Sequence, residues 1–185
     1  MNEKRKAGII VGVLFLVALF SDIISVSITA DKSLWVGVML LDLISGVSVI
    51  GIGLVVFGVL KSRNKNLALS YTVIRIVEGI FFIVMAIILL CRMTSSGIST
   101  STNMIDMVYV YIFCLGALIF YYLLWETKLI PRFISGWGIL AILILLVLNV
   151  MGILQTDSVV TVVLAAPIAL QEFVMGIWLI VKGFR

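Results

Sequence analysis

Ala68-Leu-Ser-Tyr-Thr-Val-Ile-Arg75-Ile-Val-Glu78-Gly79 is the stretch on which the reading of this chain turns. It lies inside a long apolar run, yet it carries an arginine and a glutamate three residues apart. Residues i and i+3 share a face of a helix. An ionisable side chain within a lipid-spanning helix is costly enough that it faces protein or water rather than hydrocarbon. The stretch therefore predicts a membrane-embedded helix with a polar stripe, and a bundle of further helices gathered around that stripe.

The surrounding chain has the composition such a bundle needs. Of its 185 residues 63% are hydrophobic and 12% charged, against roughly half and a quarter in a soluble domain. The apolar residues come in runs of about twenty or more, long enough to cross a hydrocarbon layer of ~30 Å. A soluble helical bundle would instead show polar faces at the helical period, and most of these runs lack one. The predicted fold is an all-α, polytopic transmembrane bundle forming one domain over 1–185. Its six helices are expected at about 7–29, 34–60, 67–91, 104–125, 133–154 and 159–181. The first run follows Lys4, Arg5 and Lys6, but it is longer than the 7–15 residues of a signal-peptide core and ends in no small-x-small site, so it reads as a span.

Lysine and arginine set the expected orientation. Lys4, Arg5, Lys6, Lys61, Arg63, Lys65, Lys128, Arg132, Lys182 and Arg185 fall on one side of the six spans, with only Lys32 and Arg92 on the other. Both termini are thus expected in the cytoplasm. Trp35 at one edge, and Trp125, Trp137 and Trp178 near the other, occupy the interfacial positions that tryptophan favours.

Within the spans one arginine, Arg75, faces four acids: Glu78, Glu172, Asp22 and Asp42. Counted at ~1.5 Å per residue, Arg75, Glu78 and Glu172 fall in one layer, and Asp22 and Asp42 in a second, outer layer with Asn149 at its rim. The guanidinium stays charged, so at least one acid must pair with it. Glu172 is expected to do so across helices, within hydrogen-bond reach, with Glu78 touching as well. The remaining acids either hold a proton or face water. Pro167 frees the carbonyl of Val163, and Ala165, Ala166 and Ala169 slim the same stretch, which points to a cavity one turn from Glu172.

Several functions find no support. No basic segment interleaved with aromatics is present, so nucleic acid is not an expected partner. Without histidine there is no Ser-His or Cys-His pair, no usual zinc set and no HExxH helix. No cofactor, metal or enzymatic activity is expected. Cys91 and Cys114 fall at different depths and are expected not to pair.

Three segments carry a resemblance to a known family. They are Arg75-Ile-Val-Glu78, the loop Lys128-Leu-Ile-Pro131-Arg132-Phe-Ile-Ser135-Gly-Trp137-Gly138, and the ending Pro167-Ile-Ala-Leu-Gln-Glu172-Phe-Val-Met-Gly-Ile-Trp178-Leu-Ile-Val-Lys182-Gly183. Together they resemble the bacterial six-span membrane proteins grouped as DUF4386, a domain of unknown function. The resemblance implies a multi-pass protein of the bacterial plasma membrane, with an arginine in the third helix and a glutamate in the sixth. It names no activity.

The charges themselves favour a small-ligand or lipid-binding protein, or a transporter, with Arg75, Glu78, Glu172, Asp42, Asp22 and Asn149 around its site. Membrane lipid and a small apolar or cationic ligand are the expected partners. The alternative is an accessory or immunity-type protein that binds a partner membrane protein, its buried charges purely structural.

Overall fold

The computed structural model describes residues 3–94, 103–153 and 159–184. It holds six α-helices: α1 Glu3–Ile28, α2 Trp35–Leu60, α3 Lys65–Thr94, α4 Asn103–Thr127, α5 Arg132–Val150 and α6 Val159–Lys182. Each contains a segment long and apolar enough to cross a membrane, and no strand occurs among the described residues. Most of the expected boundaries fall within a few residues. The basic head is helical from Glu3, and α3 runs beyond both of its expected ends. The chain leaves α5 at Met151, earlier than expected, where Gly152 takes a φ of 72°. The serine- and threonine-rich segment 95–102 and residues 154–158 lie outside the described residues.

The helices form a closed ring in chain order, each packed on its neighbours and α6 returning to α1. Closure depends on small residues at the crossings. A Cβ on Gly46 would meet the Gly79 carbonyl oxygen at 2.9 Å, and one on Gly79 would meet the Gly46 oxygen at 2.8 Å, so α2 and α3 touch backbone to backbone. Gly12 and Gly176 do the same for α1 and α6, with a Cβ on Gly12 only 2.7 Å from the Gly176 oxygen. Without a hydrophobic driving force between helices in lipid, such close van der Waals approach is a main source of association. Gly183, at φ 70°, ends α6 in the left-handed conformation that glycine tolerates and lies against Arg5, which brings both chain ends to one end of the bundle.

The inside of the ring is aromatic. Phe120 of α4 stacks on Tyr71 of α3 at 5.0 Å and on Phe15 of α1 at 5.6 Å. Outward-facing residues such as Val47, Leu54 and Val163 are exposed, as lipid-facing positions of a spanning bundle are. At the end opposite the termini, a 3-10 turn at Lys32–Leu34 joins α1 to α2. Asp31 caps it, accepting from the Ser33 N–H at 2.9 Å and the Ser33 hydroxyl at 2.8 Å. These two bonds hold the exposed Asp31 carboxyl below its ordinary range.

Candidate functional site

The polar stripe of α3 is its buried face. Ala68, Tyr71, Thr72, Arg75, Glu78 and Gly79 are all buried, at the i, i+3, i+4, i+7 spacing of a single helix side. Thr72 donates back to the Ala68 carbonyl at 2.8 Å and lies 3.1 Å from that of Gly53 on α2. Its hydroxyl is thereby satisfied without water.

Arg75 lies at the centre, 2% exposed. Its Nε donates to the Tyr71 hydroxyl at 2.9 Å, and one terminal nitrogen donates to both carboxylate oxygens of Glu78 at 3.0 and 2.9 Å. The guanidinium carbon lies 5.4 Å from the Tyr71 ring, 5.6 Å from that of Phe15 and 6.0 Å from that of Phe113. Three helices thus surround the cation with aromatic faces, a favourable electrostatic arrangement, while its charged partner comes from its own helix.

The expected direct pair between Arg75 and Glu172 is not formed. Among the described residues Arg75 has its ion pair with Glu78, and Glu172 acts on the guanidinium only over a longer distance. The reason is the rotation of α6. Ile168, Gln171, Met175 and Leu179 are its core-facing residues, and Glu172 stands about 100° round the helix from Gln171. Gln171 takes the interior position instead: its side-chain oxygen accepts from the Tyr121 hydroxyl and its amide donates to the Ile134 carbonyl at 3.2 Å. Glu172 falls in the row with Gly176 that meets α1, and it is half-buried there.

Asp22 and Asp42 do come together. They line one pocket of about 510 Å³ between α1, α2, α3 and α4, with Ser25, Phe82 and Tyr109, and with Val38, Met85 and Leu89 among its apolar walls. The pocket reaches the end of the bundle opposite the termini, where Thr29 and Arg92 line it. Asp22 accepts a hydrogen bond from Ser45, and Asp42 accepts one from Ser25 at 2.7 Å. An ionised carboxylate offers about four acceptor positions, so both retain capacity. Among the described residues neither aspartate is in an ion pair. Asp22 lies in electrostatic range of Asp42 and also of Glu78, so the two layers of charge adjoin.

Asn149 does not join this site. It is buried on α5, which packs chiefly on α4 and α6 across the ring from the pocket. Pro167 and the alanines beside it are likewise not among the pocket's lining residues; α6 continues as helix through the proline. Two participants carried no specific sequence signal. Phe15 faces Arg75 from a helix more than fifty residues away in the chain. Tyr109 is one of many aromatics in α4, and only the packing sets it on the pocket wall against Phe82, with ring centroids 5.3 Å apart. Tyr71 was legible, since it lies one turn before Arg75 on the same face.

These features define a class: a six-helix membrane bundle with a buried, self-contained ion pair and a separate acidic pocket between its first four helices. The model of DUF4386, a domain of unknown function, matches residues 7–183, nearly the whole chain, and the protein belongs to that family. No curated protein and no solved structure matches it.

Proposed function

We propose that the protein binds a small, largely apolar ligand or a single lipid in the pocket between α1, α2, α3 and α4. The observation that carries this reading is the pocket itself. Its volume of about 510 Å³ falls in the range of ~300–1,000 Å³ that serves small-molecule sites. Its lining has the composition of such sites, apolar and aromatic walls with a few convergent polar groups. The polar groups come from all four helices: Asp22 and Ser25 on α1, Asp42 on α2, Arg92 on α3 and Tyr109 on α4. Arg75 and Glu78 serve in this reading as the brace behind the site, because neither lines the pocket and Arg75 is bonded to Glu78 and to Tyr71.

The test is to fill the pocket. Val38 is 4% exposed and lines it, so Val38→Trp places an indole in the space. Native protein and variant are purified in lipid nanodiscs, and their bound small molecules and lipids are extracted and compared by mass spectrometry. The native protein should retain, near one per chain, a species that the filled variant lacks. Identical extracts from two folded proteins would refute the proposal.

A further inference from the structure

We propose that the ligand of this pocket is an organic cation, an amine or quaternary ammonium on an apolar body, whose charged head lies between Asp22, Asp42 and Tyr109. The inference rests on the pocket being a ligand site and adds the chemistry of what it takes.

Three independent features point the same way. The first is the state of the two aspartates. Each receives one hydroxyl hydrogen bond, from Ser45 and Ser25 respectively, and neither has a cationic partner among the described residues. Carboxylates in a spanning bundle pair with one another, with a cation or with water, and an entering ammonium group would supply the missing cation. The second is Tyr109. Its hydroxyl donates to no group among the described residues, and the side chain is half-buried on the pocket wall. It lies within electrostatic range of Glu78, Asp22 and Glu172, and of Arg75. A phenol there offers its oxygen lone pairs and its ring face to a cation, and the Phe82 ring beside it adds a second aromatic surface.

The third feature is that the fixed cation is already engaged. Arg75 does not line the pocket, and its guanidinium is held by Glu78 and Tyr71 and covered by the rings of Phe15, Tyr71 and Phe113, so it is not offered to an anionic ligand. Arg92 also lines the pocket, in the last turn of α3, and has an interaction of its own. The remaining walls are apolar, which calls for a hydrocarbon or aromatic body behind the head group. Metal ions are a poor match, since the described residues hold no cluster of three metal-ligating side chains and the walls would leave a hydrated ion largely uncoordinated.

The experiment uses three probes that share a 4-phenylbutyl body and differ in the charge of the head group: 4-phenylbutylamine, its N-acetyl derivative and 5-phenylpentanoate. Binding to the full chain in nanodiscs is measured by calorimetry, with empty nanodiscs subtracted. The amine should bind at least ten-fold more tightly than the acetamide, and the carboxylate most weakly. Asp22→Asn and Asp42→Asn should each lower amine affinity about ten-fold while leaving the acetamide unchanged, and Tyr109→Phe should lower it several-fold. If Asp22→Asn does not fold, Asp42→Asn and the amine-to-acetamide ratio of the native protein still decide. Equal affinity for amine and acetamide, both abolished by Val38→Trp, would overturn the cation proposal and leave the pocket reading standing. So would a preference for the carboxylate. Binding of none of the three would count against both.

Discussion

Glu78→Ala tests the brace at the centre of the bundle. In the native protein Glu78 places both carboxylate oxygens within 3.0 Å of one Arg75 nitrogen, at a site where the two side chains are 3% and 1% exposed. The substitution leaves a guanidinium that cannot deprotonate, with its Tyr71 bond and three ring faces but no adjacent carboxylate. Removing one member of a buried pair costs ~3–5 kcal/mol. The ring faces, at roughly 0.5–2 kcal/mol each, are present in both proteins and so do not offset the loss. Glu172 is in electrostatic range of Arg75, but to replace Glu78 it would have to turn α6 away from the Gly12–Gly176 crossing. The expected loss is therefore about 3–4 kcal/mol, near the lower part of that range. Arg75→Met with Glu78→Leu removes both charges and keeps the volume filled; such replacements are often neutral or stabilising, so the double variant should recover most of the loss. Glu172→Ala should cost less than half as much as Glu78→Ala. Reversible unfolding in bicelles, followed by steric trapping, measures all four proteins. A loss below about 1 kcal/mol for Glu78→Ala would refute the assignment of the pair, given the buried-pair range. So would a larger loss for Glu172→Ala, or a double variant no more stable than the single one.

Three more outcomes follow from particular contacts. Gly79→Ala should destabilise the α2–α3 crossing by ~1–3 kcal/mol, because its Cβ would lie 2.8 Å from a backbone oxygen; Gly58→Ala, which meets nothing within 4 Å, should be near neutral in the same unfolding assay. Orientation is read by impermeant maleimide on cells in a Cys91→Ser background: the basic end holding the termini is expected inside, so Lys32→Cys should label and Arg63→Cys should not, and the reverse pattern would invert the topology. Asp31 should titrate below an ordinary aspartate by NMR, and Ser33→Ala should move it back up. Because its folded value is lowered, any contribution of this cap to stability is present above the unfolded aspartate value and lost as pH falls through the folded one.

Much of this architecture is legible residue by residue. Hydropathy marks the six spans because the length that crosses hydrocarbon is a property of each segment alone. The buried side of α3 is legible too, since Tyr71, Arg75, Glu78 and Gly79 share a face at any helix orientation. The distribution of basic loops, and the placement of Asp22 and Asp42 at matching depths, come from counting along the chain. What counting leaves open is rotation. Each residue turns a helix by about 100°, so whether α6 offers Glu172 or Gln171 to the interior depends on how it seats against its neighbours. The contact of Gly12 with Gly176 and the burial of Met175 and Leu179 decide for Gln171. That choice leaves Arg75 to the acid on its own helix. In the same way, the ring order carries Asn149 away from Asp22 and Asp42 and brings Tyr109 to them. Depth and periodicity are local and belong to the sequence; azimuth and neighbourhood arise only when six helices pack, and they decide which charges brace the bundle and which line its pocket.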